Sequence, residues 1–73
     1  MKFQDYIESN HTIMLGKPVI KGTRITVELI LKKLSEGAST KQIIEMYPSL
    51  NNEQINACLA YASDVISNEL ILE

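Results

Sequence analysis

The chain has 73 residues, 45% hydrophobic and 22% charged, with a formal net charge of −2; this composition fits one globular domain and excludes a disordered chain. A single cysteine excludes an internal disulfide and agrees with a reducing cytoplasm, and no apolar run approaches the length of a membrane span or signal-peptide core. A chain this small buries only about 60% of the surface its unfolded form exposes, so self-association is expected.

In chain order, residues Phe3 to Leu15 show mixed periodicity. Phe3, Tyr6 and Ile7 suit a short helical turn or a strand, and Ile13 to Leu15 suit an extended approach to the next segment. His11, between Asn10 and Thr12, reads as a surface turn.

The run Gly16-Lys17-Pro18-Val19-Ile20-Lys21-Gly22-Thr23-Arg24-Ile25-Thr26 follows. Its glycines and proline fix the backbone, while Lys17, Lys21 and Arg24 surround the apolar pair Val19 and Ile20. A flexible linker would lack that pair, and a buried strand would not carry Pro18 and so many charges, so a docking surface is expected. Val19 and Ile20 are expected to form a short strand, paired with Ile13 to Leu15 or with its own copy in a dimer. Gly22 suits a positive backbone angle and Thr23 a local side-chain hydrogen bond. Arg24 offers a planar fork of donors. It has two readings: a contact to a DNA phosphate or protein partner, or an internal clamp onto a helix-end carbonyl or a carboxylate such as Glu28.

Three helices are predicted next. Thr26 caps one from Val27 to about Glu36, with Val27, Ile30, Leu31 and Leu34 on its apolar face and Gly37 as its stop. Ser39 caps a short second helix through Tyr47, ended by Pro48, with Ile43, Ile44 and Tyr47 inward. Asn51 opens a longer third helix whose expected apolar face is Ile55, Cys58, Leu59, Ala62 and Ile66. The whole is a single domain over 1–73: an extended segment and loop over 1–25, a three-helix core over 26–68 and a tail over 69–73. The fold class is mainly α, with a short extended or β segment ahead of the helices.

Three short helices with tight turns form the frame of a helix-turn-helix, in which the third helix can enter the major groove. Asn52, Gln54 and Asn56 near the start of the third helix, with Ala57, Ala60 and Tyr61 after them, make its expected outward face. Asn and Gln amides can pair with adenine bidentately. The competing reading is helix capping and plain exposure. Phosphate contacts would fall to Lys32, Lys33 and Lys41, because the third helix has no Lys or Arg; adjacent lysines are also ordinary solvated surface.

The charges are segregated. Residues 17–41 hold Lys17, Lys21, Arg24, Lys32, Lys33 and Lys41 against Glu28 and Glu36, whereas residues 42–73 hold no cation against Glu45, Glu53, Asp64, Glu69 and Glu73. One face for an anion and another for a basic or polar partner would follow, although ordinary solvated surface has the same look. A nucleotide-binding phosphate loop needs Gly-Lys-Ser/Thr, and the order here is Lys21-Gly22-Thr23. With one His, one Cys and scattered carboxylates, the chain is not expected to be an enzyme, and no metal or cofactor is expected. Cys58, on the apolar face of the third helix, reads as a buried thiol.

The run from Gly16 to Leu31, followed by Glu36-Gly37, Ile43-Ile44, Tyr47-Pro48 and Ala60-Tyr61-Ala62, closely resembles the family called domain of unknown function 433, over roughly residues 10–66. The resemblance implies a homeodomain-like helix-turn-helix core. It also implies a VapB-type antitoxin role, as partner of a PIN-like ribonuclease toxin in a type II toxin-antitoxin pair.

Val65, Ile66, Leu70, Ile71 and Leu72 lie in an acidic, apolar C-terminal stretch that could order on a toxin, or pack on the chain's own N-terminal segment or a second copy. The expectation is a cytoplasmic homodimer that binds a PIN-like toxin through that C-terminal stretch and operator DNA through Lys32, Lys33, Lys41, Asn52, Gln54, Asn56 and Tyr61. Lys17, Lys21, Gly22, Thr23 and Arg24 are its expected partner-contact loop. A small dimeric protein-protein adaptor without DNA binding is the alternative.

Overall fold

Helix boundaries in this protein are set by local side-chain chemistry. The Leu29 N–H donates to Thr26 Oγ1 at 3.0 Å, and the first helix, α1, runs Val27–Ser35. Gly37, at φ 97°, stops it while its own N–H donates to the Leu34 carbonyl at 3.0 Å. α2, Thr40–Met46, opens on a capping box: Gln42 N–H donates to Ser39 Oγ at 3.1 Å, and Ser39 N–H donates to Gln42 Oε1 at 2.8 Å. α3, Asn52–Ile71, opens the same way, with Gln54 N–H on Asn51 Oδ1 at 2.9 Å and Asn51 N–H on Gln54 Oε1 at 2.8 Å. Its helical backbone runs past residue 68 to Ile71, into the stretch expected to be tail.

The computed structural model describes the backbone of residues 2–71 and the side chains of residues 2–67. Ahead of α1 lie a 3₁₀ turn at Phe3–Asp5, strand β1 at Ile7–Glu8, a second turn at Met14–Gly16 and strand β2 at Val19–Ile20. The fold is mainly α, three helices preceded by a two-stranded N-terminal segment, as the sequence predicts.

The strand partner differs from the expected one. β2 pairs antiparallel with β1, Ile7 opposite Ile20 and Glu8 opposite Val19. On its other side Ile20 N–H donates to the Ile25 carbonyl and Val27 N–H to the Pro18 carbonyl, both at 2.9 Å, and Val19 bridges Thr26. Both sides of β2 are therefore taken within the chain, which leaves no β2 edge for a second copy. Nor is Ile13 to Leu15 extended throughout. Met14, Leu15 and Gly16 have φ of 48°, 59° and 84°, a left-handed turn closed by Gly16 N–H on the Ile13 carbonyl at 3.0 Å.

Both strands and all three helices supply the core, with Ile7 of β1 buried as well. Val19 and Ile20 from β2, Ile30 from α1, Ile43 from α2, and Ile55 and Cys58 from α3 are fully buried. Burying each isoleucine contributes about 1.5–3 kcal/mol, which holds α1 and α2, too short to persist alone, against α3.

The buried face of α3 also differs from the expected one. Ala57 is buried, whereas Leu59 and Ile66 are 47% and 58% exposed. The cause is the N-terminal segment, whose first turn and β1 both pack against α3. Phe3 meets Tyr61 edge to face with ring centroids 5.5 Å apart, so the covered arc extends to Tyr61 and away from Leu59.

Candidate functional site

The cationic loop is built on one tightly bonded turn. Thr23 N–H and Thr23 Oγ1 donate to the Ile20 carbonyl at 3.0 and 2.8 Å, and Ile25 N–H donates back to Thr23 Oγ1 at 3.0 Å. Lys21 N–H donates to the Tyr6 carbonyl at 2.8 Å, pinning the turn to the N-terminal segment. Gly22 has φ 78°, which only glycine adopts at no cost, and a Cβ there would meet open space. Thr23 and Gly22 are thus structural, as their residue types predict.

Arg24 is different. Its side chain is exposed and has no hydrogen-bond or ion-pair partner among the described residues. The clamp onto Glu28 does not form, because Lys17 Nζ reaches Glu28 Oε1 at 2.9 Å and holds that carboxyl below its ordinary pKa. Arg24 lines a shallow groove with Glu8, Ile13, Gly22 and Thr23. A guanidinium so placed keeps all its donors available for a carboxylate or phosphate.

The helix-borne residues divide. Lys32 on α1 and Lys41 on α2 are exposed, while Lys33 is half-buried and shares a hollow between α1 and α2 with Glu36, Gln42 and Glu45. Asn52 and Asn56 are exposed, one helical turn apart on α3. Gln54 is not part of that outward face, because it is half-buried and both its amide oxygen and its backbone N–H close the cap with Asn51. Tyr61 is likewise withdrawn, half-buried against Phe3. The Asn51-x-x-Gln54 spacing repeats Ser39-x-x-Gln42, and that repetition is the sequence signal for its capping role.

Toward the end of α3, Val65 and Ile66 are exposed rather than packed on the N-terminal segment. Leu70 and Ile71 belong to the helical backbone, their side chains lying outside the described residues, as does the whole of Leu72. One exposed apolar feature escaped the sequence: Leu15, at the tip of the left-handed turn, is 95% exposed, with Met14 beside it at 44%.

Two other groups have shifted protonation. Tyr6 Oη donates to Glu53 Oε2 at 2.5 Å, and that hydrogen bond, reinforced by the charge of the carboxylate, raises the phenol above its ordinary pKa. Burial pushes the Cys58 thiol up to about 11, which keeps it protonated and unreactive at neutral pH. Among the described residues, no group of three or more His, Cys, Asp and Glu side chains could hold a metal ion, and no helix is long and apolar enough to cross a membrane.

These features define a small three-helix protein that displays a rigid cationic turn and exposed apolar side chains. Residues 7–62 match the family described as Protein of unknown function (DUF433), and the chain belongs to that family. It is 32% identical over 59 residues to "Uncharacterized protein y4eO" of Sinorhizobium fredii (strain NBRC 101917 / NGR234), across 81% of this chain and 27% of that protein, so it spans only a minor part of this relative. No solved structure matches.

Proposed function

We propose that this protein is a non-enzymatic, antitoxin-like component of a type II toxin-antitoxin pair, acting in the cytoplasm as a homodimer that binds a PIN-like ribonuclease toxin and operator DNA. The observation that carries the reading is Arg24: the turn that bears it is closed by hydrogen bonds through Thr23, yet its guanidinium is paired with nothing among the described residues. A preorganised, unpaired guanidinium contributes little to folding and much to binding an anionic partner.

In this reading Lys21 and Arg24 meet carboxylates of the toxin, and Val65 with the residues beyond it supplies apolar contact. The three helices serve as a helix-turn-helix. Lys32, Lys33 and Lys41 meet phosphates, and Asn52 and Asn56 meet bases. Gln54 and Tyr61 are left out because each already has a structural partner.

Growth on co-expression with a neighbouring PIN-like gene tests the toxin arm: the wild type restores growth and Arg24→Ala does not. Equal rescue by both would remove Arg24 from the contact. For the operator arm, fluorescence anisotropy with a duplex from the chain's own promoter should show affinity falling steeply with salt, and Lys32→Ala should reduce the logarithmic slope by about 1.

The adaptor reading, without DNA, is favoured by the composition of α3, which has no Lys or Arg and carries Glu53 in its first turn. A duplex that is not bound even at low salt decides for it.

A further inference from the structure

We infer that two copies of this chain associate by seating the Met14-Leu15 knuckle of each on the exposed apolar stripe of α3 in the other. The inference rests on the homodimer of the proposed function and names its contact; it uses neither toxin nor DNA.

Among the described residues Met46 on α2 is exposed alone, and two exposed apolar features hold more than one side chain. The first is the knuckle, where Leu15 is held at the tip of a turn whose non-glycine residues Met14 and Leu15 both have positive φ. Its surroundings are basic. Met14 shares a hollow with Lys17, Lys32, Glu28 and Leu29 at the side of α1; Lys17 is paired with Glu28 and Lys32 also acts on that carboxyl, so two cations face one carboxylate. The second feature is a stripe formed by the exposed Leu59 and Ile66 with the half-buried Ala62 between them, spaced i, i+3, i+7 and therefore on one line of the helix. The helix that bears it is of the opposite sign: no Lys or Arg occurs from residue 42 onward, and the last turn of α3 has no basic residue to offset the negative helix terminus.

Charge chooses among the possible pairings. Stripe on stripe would bring two cation-free helix ends together, and knuckle on knuckle would bring two copies of Lys32 together. Knuckle on stripe alone joins unlike charges. Because each copy has one of each feature, a twofold arrangement makes the contact twice and closes. The strand route to a dimer is unavailable at β2, whose two sides are occupied within the chain. Ile66 then belongs to the contact between copies, and the toxin contact is left to Val65 and the residues that follow Ile66.

Sedimentation equilibrium on the purified full chain tests this through a charge exchange. Leu15→Asp and Ile66→Lys each change an exposed side chain, and Asp is tolerated in the left-handed region. Each variant alone should raise the dimer dissociation constant at least about tenfold, the loss of one buried large apolar side chain or more. An equimolar mixture of the two variants should recover the dimer, because it restores one native contact and sets the introduced carboxylate against the introduced ammonium in the other. Added salt should weaken the wild-type dimer. Circular dichroism confirms the fold; should either variant lose helix, Leu15→Asn and Ile66→Gln replace them for the single-variant arm. A Leu15→Asp protein that dimerises as the wild type does, or a mixture that stays monomeric, overturns the contact while leaving a dimer of another kind. A wild type that is monomeric at every concentration overturns both this contact and the proposed homodimer.

Discussion

The Tyr6 hydroxyl donates to Glu53 Oε2 at 2.5 Å, tying the N-terminal segment to the first turn of α3 across 47 positions of sequence. Tyr6 is also the residue whose carbonyl accepts from Lys21, so one side chain and its backbone connect α3 to the cationic turn. The hydrogen bond to the carboxylate favours the protonated phenol, so the folded-state pKa of Tyr6 lies above its ordinary value of 10.0. A raised pKa contributes stability that is complete below the unfolded value and is lost as pH rises through the folded one. Ultraviolet titration should therefore show one tyrosine ionising above that range, and Glu53→Gln should bring it back. An unchanged titration in Glu53→Gln would show that the bond does not persist in solution. Because the pair is exposed, the accompanying loss of stability should be small.

Lys17 and Glu28 give the opposite pH dependence. Lys17 lowers the Glu28 pKa below 4.5, so this pair contributes above the unfolded value and is lost as pH falls through the lowered one. Both side chains are exposed, so the contribution is modest and shrinks with salt. Lys17→Ala should flatten the acid limb of stability measured at low salt and change nothing at high salt. A difference that persists at high salt would mean that Lys17 acts through packing of its stem on the loop.

The three helix starts and the stops of α1 and α2 were legible because their signals are local, whereas α3 runs past its expected end to Ile71. Thr26, Ser39 and Asn51 lie where a cap is needed, and Gly37 has the positive φ its position requires. The pairing of β1 with β2 was not legible, since two residues on each side carry no register of their own and meet only when the N-terminal segment folds back. The face of α3 misled for a related reason. Ala57 and Leu59 are both apolar, and which of them is covered depends on where Phe3 and β1 settle. At the candidate site, the type of Arg24 announced a binding group, but only the geometry shows that Lys17 takes the carboxylate offered to it. Nothing in Met14 or Leu15 marks a left-handed turn, because neither residue type prefers that conformation.

Gln54 separates folding from nucleic-acid recognition. Its side-chain oxygen accepts from Asn51 N–H, completing the cap of α3. Gln54→Ala should lower thermal stability by up to about 1 kcal/mol, the size of one cap interaction, and the melting midpoint of a domain of this size by roughly 4–8 °C per kcal/mol. Affinity for duplex DNA at a temperature where the variant is fully folded should be unchanged. Asn56→Ala should behave in reverse, leaving the midpoint in place and weakening operator binding. Loss of affinity in Gln54→Ala without loss of stability would return Gln54 to the recognition surface and remove it from the cap.

Leu15 is held where an L-residue is disfavoured, at φ 59°, and is 95% exposed. Neither packing nor backbone preference accounts for leucine there. The left-handed region costs such a residue about 1–2 kcal/mol, and glycine is free of that cost, although it adds freedom to the unfolded chain. Leu15→Gly should therefore stabilise the monomer by about 0.5–1 kcal/mol, after the glycine entropy is subtracted. The measurement is thermal unfolding followed by circular dichroism at the lowest usable concentration, because a dimer contact through Leu15 would add its own stability at higher concentration. The expected pattern is a crossing: the variant melts later than the wild type when dilute and earlier when concentrated. A variant that melts earlier at every concentration would mean that the leucine side chain stabilises the monomer, which its exposure in this fold does not allow.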